Sequence, residues 1–382
     1  MTDSSPLDLN RPWLSNQPVA WPVLASVDLQ AERACSIQAF DLPLLVVRGR
    51  DQSISVHLDR CPHRHVSFSA GGKPPKVEGS VFHCPYHFQA FDQQGRCVAT
   101  LHGESGVAEH LVNLPSFEQD GFIFVVTSRQ LFSKHHPGSE AASALEYARD
   151  QLRLPKEIKQ EFSGNSNYEC LPLFHYRYPI GSWPLVITSG IDHTHGFHVH
   201  GIAKAIHGMR RWLGQQTLSG IHMACDDDER SVLVTYSQYR DSLQAYWKVG
   251  GLPNLWLNKL DDGLFIAVLF VPNNSRSTTM LGSLYVNGHW KLLLDNPAML
   301  ASLRELSLRN SEEDRPFIES QMDTLAEGCI PVGNASINDA PVYRYFRYLE
   351  QITGTPVDFH HKPRAIDLLR QWGGTASAAA SD

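Results

Sequence analysis

Short hydrophobic runs punctuated by turn residues dominate the first third of the chain, which predicts strands rather than helices. The segments PLLVVRGR (43–50), ISVHLD (54–59) and GFIFVVTS (121–128) are rich in Val, Ile and Phe and are bounded by Gly, Pro and Asp. GSVFHCP and QAFDQQGRCV continue this pattern between them. We therefore predict a small all-β domain over residues 19–128, preceded by a polar N-terminal extension at residues 1–18.

The remainder of the chain mixes longer strands with helical segments. SVLVTYSQY (231–239), GLFIAVLFV (263–271) and TTMLGSLYV (278–286) have the composition of strands, whereas residues 298–327 and 340–351 are predicted to be helical. We predict a second domain over residues 129–372, and hence an α+β protein. The low-complexity tail GGTASAAASD (373–382) is predicted to be disordered.

Composition narrows the classes of protein to consider. The chain has 382 residues with 33 basic and 40 acidic side chains, a net charge of −7 that does not favour a nucleic-acid or membrane surface as the main partner. Its 7 cysteines lack the spacing of a secreted disulfide scaffold, which indicates a reducing compartment. The N-terminus MTDSSPLDLNRPW does not resemble a signal peptide, and no apolar run approaches the roughly 20 residues of a membrane span. We expect a soluble cytoplasmic protein.

Two Cys-His pairs lie in the β-rich segment. Cys61-Pro62-His63 and Cys84-Pro85-Tyr86-His87 give the spacing C-x-H followed by C-x-x-H. Two thiolates and two imidazoles on tight loops can hold a [2Fe–2S] cluster, with the cysteines on one iron and the histidines on the other. A structural Cys₂His₂ zinc site is the alternative, although zinc fingers usually keep the two cysteines together and the two histidines together.

A second group of histidines occurs in SGIDHTHGFHVHG (189–201), which contains the pattern Asp192-x-x-His195-x₄-His200. Two histidines and a distant carboxylate form the facial triad of ferrous sites that activate O₂. Residues five apart lie about 140° apart on an ideal helix, so both can reach one metal only where the helix is bulged or ends between them. Gly196 makes such a break plausible.

Other histidines nearby leave alternatives open. His195 and His198 have the helical spacing i, i+3 and form a second candidate pair, which we rank below His195 and His200. Three residues could contact the ligands or the substrate, or have no role in the site: His193, His198 and His207.

The segment CPHRHVSFSAGG…VFHCPYHFQAFDQQGRCV resembles the Rieske domain of the Rieske non-haem iron oxygenases, and D-x-x-H-x₄-H resembles the mononuclear-iron motif of that family. The resemblance extends from about residue 19 to about residue 350. It implies a terminal (alpha) component with an all-β Rieske [2Fe–2S] domain and a helix-grip-like catalytic domain containing a curved antiparallel sheet. The sequence departs from the family at Phe88-Gln89, where Gly-Trp is usual, at His65, where Gly is common, and in a GGKPPK insertion.

The resemblance implies a role for each motif residue. Cys61, His63, Cys84 and His87 would bind the cluster. His195 and His200 would bind a mononuclear Fe(II). Asp192 would act as an electron-transfer bridge to a Rieske histidine of a neighbouring subunit, although it could instead only cap a helix start.

The third ligand of the mononuclear iron must come from far downstream. SEEDRPFIESQ (311–321) is similar to the family's C-terminal ligand segment, in which an acidic residue opens or precedes a helix. We choose Asp314, with Glu313 and Asp295 as alternatives. Asp314 could otherwise be a helix cap with Pro316 in the first turn.

The implied activity is O₂ activation with electrons from NAD(P)H. The chain has no dinucleotide fingerprint, so a ferredoxin, a flavin reductase or both would deliver them. We expect a homotrimer and favour monooxygenation, either hydroxylation or oxidative demethylation, of an apolar or aromatic small molecule over dihydroxylation. The alternatives are a Rieske electron carrier fused to a ligand-binding domain without O₂ chemistry and, more weakly, a lipid- or pigment-binding module with a relict cluster.

Overall fold

The chain forms two compact units, Met1–Leu152 and Arg153–Asp382. The computed structural model describes residues 18–100, 110–128, 138–151, 169–191, 195, 199–201, 222–228, 231–237, 244–250, 255–261, 263–274, 276–327, 342, 345 and 347. The predicted disordered tail and nearly all of the predicted N-terminal extension lie outside these residues. The domain boundary after residue 128 stays a prediction, and helix α1 (Gly138–Gln151) groups with the first unit.

The described part of the first unit is built almost entirely from short antiparallel strands. These are β1 Val19–Ala25, β2 Arg33–Ala39, β3 Leu42–Arg48, β4 Ile54–Leu58, β5 Val77–Glu78, β6 Val81–His83, β7 Ala90–Phe91, β8 Cys97–Ala99, β9 Asn113–Leu114, β10 Ser116–Gln119 and β11 Phe122–Thr127. They form sheets of order β1-β11-β10, β2-β3-β4-β9 and β5-β6-β7-β8. The strands predicted at 43–50, 54–59 and 121–128 correspond to β3, β4 and β11.

Packing explains why these runs form strands. All residues of β11 are buried, and so are the last five of β3, as expected for strands covered on both faces. A separate cluster of aromatic side chains fills the space beside the third sheet. Phe68 lies 5.5 Å from Phe82 and 5.7 Å from Phe91 between ring centroids, and both cysteines of the Cys-His pairs belong to this buried cluster.

The second unit contains one large antiparallel sheet. Its strands are β12 Glu169–Tyr178, β13 His222–Asp228, β14 Ser231–Ser237, β15 Gln244–Gly250, β16 Leu255–Asp261, β17 Leu264–Asn274 and β18 Ser277–Val286. In the described residues they form a 7-stranded sheet of order β12-β18-β17-β16-β15-β14-β13. β17 and β18 are buried along most of their length, in keeping with the apolar runs that predicted them.

Two helices of this unit matter for the site. α2 is Trp183–Ile191, and α3 is the 31-residue helix Pro297–Glu327. α3 is fixed to β12, where the Tyr178 hydroxyl donates to the Ser311 carbonyl at 3.2 Å and Arg304 Nε donates to the Leu173 carbonyl at 2.7 Å. No helix in the described part of the chain has the length and apolar character needed to cross a bilayer.

The position of Asp314 within α3 differs from the expectation. We expected an acidic residue that opens or precedes a helix, but Asp314 lies in the interior of α3, and Pro316 is also inside the helix. The capping role considered for Asp314 is therefore wrong. The helix continues through Pro316, with the Tyr178 hydrogen bond to Ser311 before the proline and Ile318, which is 1 % exposed, after it.

Candidate metal centres

Two loops with the same backbone hydrogen bonds carry the Cys-His pairs. In the first loop, the His65 N–H donates to the Cys61 carbonyl at 2.7 Å, and the Cys61 N–H donates to the Val66 carbonyl at 2.9 Å. In the second, the Phe88 N–H donates to the Cys84 carbonyl at 3.0 Å, and the Cys84 N–H donates to Gln89 at 2.8 Å. The loops are local copies of each other.

The shared loop geometry makes two departures from the family pattern costly. His65 has φ of 57° and Phe88 has φ of 60°, at equivalent places in the two loops. This left-handed conformation is unstrained for glycine and costs other residues about 1–2 kcal/mol. The family's usual glycine fits this backbone, whereas this chain carries the strain at both positions.

Both cysteine side chains are buried and close to each other. The Cys61 and Cys84 thiols share a hydrogen bond, which raises the pKa of Cys61 and lowers the pKa of Cys84 to about 6. Backbone N–H groups of His63 and Arg64 also donate to Cys61, and those of Tyr86 and His87 donate to Cys84. These four N–H groups favour negative charge on the two sulfurs, as metal-bound thiolates require.

The two histidines of these loops lie together at the surface. The His63 and His87 rings are 4.7 Å apart between centroids. Partial burial, then the positive charges of His63 and Arg64, lower the pKa of His87, which favours the neutral imidazole that binds metals.

The same donors do not fit a single tetrahedral zinc ion. Among the residues that the structure describes, the only group with three or more donor atoms all within 4.8 Å of one another consists of other side chains. A pair of cysteines and a separate pair of histidines suits a binuclear cluster better than one metal ion.

Asp59 anchors the first loop, a role that sequence reasoning missed. Its carboxylate is 1 % exposed and accepts hydrogen bonds from Ser36 Oγ at 2.6 Å, Ser67 Oγ at 2.7 Å and Ser69 Oγ at 3.1 Å. It also accepts the Phe68 N–H at 2.6 Å. These hydrogen bonds of Asp59 could not be predicted from the sequence, because their donors come from two separate segments.

The second unit brings three predicted residues together. One donor atom each from His195, His200 and Asp314 lie within 4.8 Å of one another. His195 Nε2 is 3.3 Å and His200 Nε2 is 3.6 Å from Asp314 Oδ1. α2 is Trp183–Ile191, and His195 lies in a turn, where its carbonyl accepts the Val199 N–H at 2.8 Å.

Glu313 contacts His200 at Nδ1, whereas Asp314 lies near Nε2 of the same ring. His200 Nδ1 lies 3.2 Å from Glu313 Oε2, and the Gly201 N–H donates to the same carboxylate at 3.2 Å. A carboxylate only accepts hydrogen bonds, so Glu313 favours the tautomer of His200 with its proton on Nδ1, which leaves the Nε2 lone pair for a metal on the side of Asp314. Glu313, considered at first as an alternative ligand, therefore orients His200. Asp295, the other alternative, is not part of the group.

Several predicted residues have no described placement. Asp192, His193 and His198 lie outside the residues that the structure describes, as does His207. The bridging role of Asp192 thus stays a prediction from the sequence.

Comparison with known proteins identifies the first unit. Residues 20–117 match the family model described as "Rieske [2Fe-2S] domain". The oxygenase component of chloroacetanilide N-alkylformylase from Rhizorhabdus wittichii (strain DC-6 / KACC 16600) is 32% identical over 98 residues, covering 26% of this chain and 26% of that protein. Chlorophyllide a oxygenase, chloroplastic, of Oryza sativa subsp. japonica is 26% identical over 122 residues, covering 32% of this chain and 21% of that protein. These matches span about a quarter of the length of the curated relatives.

Solved structures match most of the chain. Dicamba monooxygenase bound to dicamba has a TM-score of 0.64 at 16% identity, with 88% of this chain and 97% of that chain covered. The terminal oxygenase of carbazole 1,9a-dioxygenase from Nocardioides aromaticivorans IC177 has a TM-score of 0.62 at 17% identity, with coverage of 88% and 94%. At this identity the likeness establishes the fold, which is the expected α+β arrangement. The chain therefore contains a Rieske [2Fe–2S] domain at residues 20–117, and its fold is similar to that of these oxygenases.

Proposed function

We propose that the chain is a terminal oxygenase in which a Rieske cluster feeds electrons to a mononuclear Fe(II) that activates O₂. The observation that carries the proposal is the convergence of His195, His200 and Asp314 within 4.8 Å. Two imidazoles and one carboxylate are the donor set of ferrous oxygenase sites, and such a set leaves coordination positions for O₂. A Rieske electron carrier would have no use for this second group.

The proposed ligands follow from the chemistry of the donors. Cys61, Cys84, His63 and His87 hold the cluster, and His195, His200 and Asp314 hold the mononuclear iron. The bound cluster supplies single electrons, and the bound iron supplies the activation of O₂.

The chain's own side chains prepare the mononuclear site. Glu313 accepts the Nδ1 proton of His200, which keeps that imidazole in the tautomer with a free Nε2 lone pair. The carboxylate of Asp314 faces both histidines from α3. The side chains of His195 and Asp314 are 24% and 18% exposed, so the group is partly shielded from water.

The type of oxygenation and the electron donors are part of the proposal. We propose monooxygenation, by hydroxylation or oxidative demethylation, of an apolar or aromatic small molecule, with the fold likeness to dicamba monooxygenase in support. Electrons come from NAD(P)H through a ferredoxin, a flavin reductase or both; a carbazole 1,9a-dioxygenase oxygenase of similar fold has been solved as a complex with ferredoxin. We further propose a cytoplasmic homotrimer.

Iron content separates the oxygenase from the electron carrier. The purified, reconstituted full chain should hold three irons per chain if it is an oxygenase and two if it is a carrier, together with a Rieske-type EPR signal after reduction. His195→Ala, His200→Ala and Asp314→Ala should each lose the mononuclear iron and keep the Rieske signal. Two irons per chain in the unmodified protein would refute the oxygenase.

A panel of substrates then tests the type of reaction. The full chain is supplied with a ferredoxin, a reductase, NADH and apolar or aromatic compounds, and products are measured by mass spectrometry. Gain of one oxygen atom or loss of a methyl group supports monooxygenation. Products that gain two oxygen atoms and two hydrogens would instead assign a dioxygenase.

A further inference from the structure

One buried side chain breaks the near-symmetry of the two cluster loops. Val66 and Gln89 are equivalent, since their carbonyls accept the N–H groups of Cys61 and Cys84. Val66 carries no hydrogen-bonding side chain. Gln89 carries an amide, is only 7% exposed, and reaches across to the first loop, where its Oε1 lies 3.5 Å from Cys61 Sγ.

The direction of this hydrogen bond depends on the state of Cys61. In the structure the amide oxygen of Gln89 faces the sulfur, so a hydrogen bond between them is donated by the Cys61 thiol in the metal-free protein. A cysteine bound to iron is a thiolate, which only accepts hydrogen bonds. The oxygen and nitrogen of a glutamine amide occupy nearly the same positions, so a half-turn of the amide presents Nε2–H to the sulfur.

We propose that Gln89 is a positioning residue that raises the reduction potential of the cluster by donating an N–H···S hydrogen bond to Cys61. The proposal rests on the ligand assignment under Proposed function. Reduction adds negative charge to the cluster, and a donor at a coordinating sulfur stabilises the reduced form more than the oxidised form. Burial strengthens the effect because water does not screen the interaction.

The amide adds to donors that the backbone provides equally to both sulfurs. Cys61 receives N–H groups from His63 and Arg64, and Cys84 receives them from Tyr86 and His87. Gln89 therefore gives Cys61 a side-chain donor in addition to this shared set. This sequence has Gln89 where the family it resembles usually has tryptophan, so the amide side chain itself is a feature of this chain.

The test is a redox titration of the full, cluster-loaded protein, monitored by EPR. Gln89→Met keeps the length of the side chain without a donor, and Gln89→Leu removes the donor with a different shape. Both should shift the equilibrium for reduction about tenfold toward the oxidised form, a fall of about 59 mV in the midpoint potential of a one-electron couple. Gln94→Leu, on an exposed residue of the same unit, is the matched control and should leave the potential unchanged.

The outcomes separate this inference from the ligand assignment. A wild-type protein without a Rieske signal would refute the assignment of the cluster. A normal Rieske spectrum with an unchanged potential in both Gln89 variants would overturn only the role of Gln89. Loss of the cluster in both variants would overturn it as well, because Gln89 would then be a structural residue.

Discussion

At the scale of single residues, His57 shows how the packed β unit controls protonation. Its side chain is fully buried, with Nε2 3.0 Å from Ser55 Oγ and its ring 5.2 Å from that of Phe82. Burial lowers the pKa of His57 from 6.5 to about 3, against a weaker opposing effect of Asp92. The folded protein therefore keeps this imidazole neutral.

This burial predicts a pH dependence of stability. Between pH 6.5 and pH 3 the unfolded chain binds a proton at residue 57 and the folded chain does not, so stability falls as the pH falls. The contribution is fully present above pH 6.5 and is lost at up to about 1.4 kcal/mol per pH unit below it. Urea denaturation of the full chain at several pH values in this range, monitored by a signal from the first unit, measures how the free energy of unfolding changes with pH.

A substitution identifies the group responsible. His57→Asn should flatten the slope below pH 6.5, whereas His289→Asn, on an exposed histidine of the other unit, should leave it unchanged. Equal slopes in wild type and His57→Asn would contradict the role of His57.

Contacts between single residues also show which parts of the site could not be predicted from the sequence. The two Cys-His pairs, His195 and His200 could be predicted because their spacing within short segments is typical of metal ligands, whereas Asp314 was predicted from the resemblance of its segment. The contacts of Asp59, Gln89 and Glu313 could not be predicted, because each of these side chains contacts a residue that only folding brings near. Glu313, for example, reaches His200 across a separation of 113 residues.

At the scale of elements, α3 supplies two adjacent acids with different tasks. Asp314 faces the Nε2 atoms of both histidines, and Glu313 accepts from Nδ1 of His200. The strands and the helical character of this region could be predicted from local periodicity. The placement of Asp314 inside the helix could not, because a proline usually indicates a first turn, whereas α3 continues through Pro316.

The role of Glu313 can be tested by a neutral variant. Glu313→Gln should weaken binding of the mononuclear iron by roughly 10–100-fold, because the orienting charge behind His200 is lost while all three ligands remain. Titration of the metal-depleted protein with Fe(II) measures the affinity. Glu312→Gln alters an exposed neighbour paired with Arg315 and should have no such effect; equal affinities in the two variants would rule out the role of Glu313.

At the scale of the whole molecule, the proposed electron path depends on assembly. If Asp192 links the mononuclear site to a Rieske histidine of a neighbouring subunit, a monomer cannot turn over. Asp192→Asn should then keep both metal centres and the oligomeric state but slow delivery of electrons by orders of magnitude. The measurement is single-turnover oxidation of the reduced cluster in the presence of substrate and O₂.

A matched control guards against a general effect of losing one negative charge. Asp295→Asn changes an exposed acid outside the histidine group and should oxidise its cluster at the wild-type rate. A wild-type rate in Asp192→Asn, or full activity in a demonstrated monomer, would refute the bridge.

The proline inside α3 has a mechanical consequence. Pro316 has no backbone N–H, so the carbonyl of Glu312 loses its usual helical partner one turn earlier, beside the two carboxylate residues that face the histidines. A helix that lacks one backbone hydrogen bond bends more easily at that point than elsewhere. Glu313 and Asp314 therefore lie at the place where α3 lacks one backbone hydrogen bond. A small bend of α3 at this point would move both carboxylates relative to the histidines without unwinding the helix.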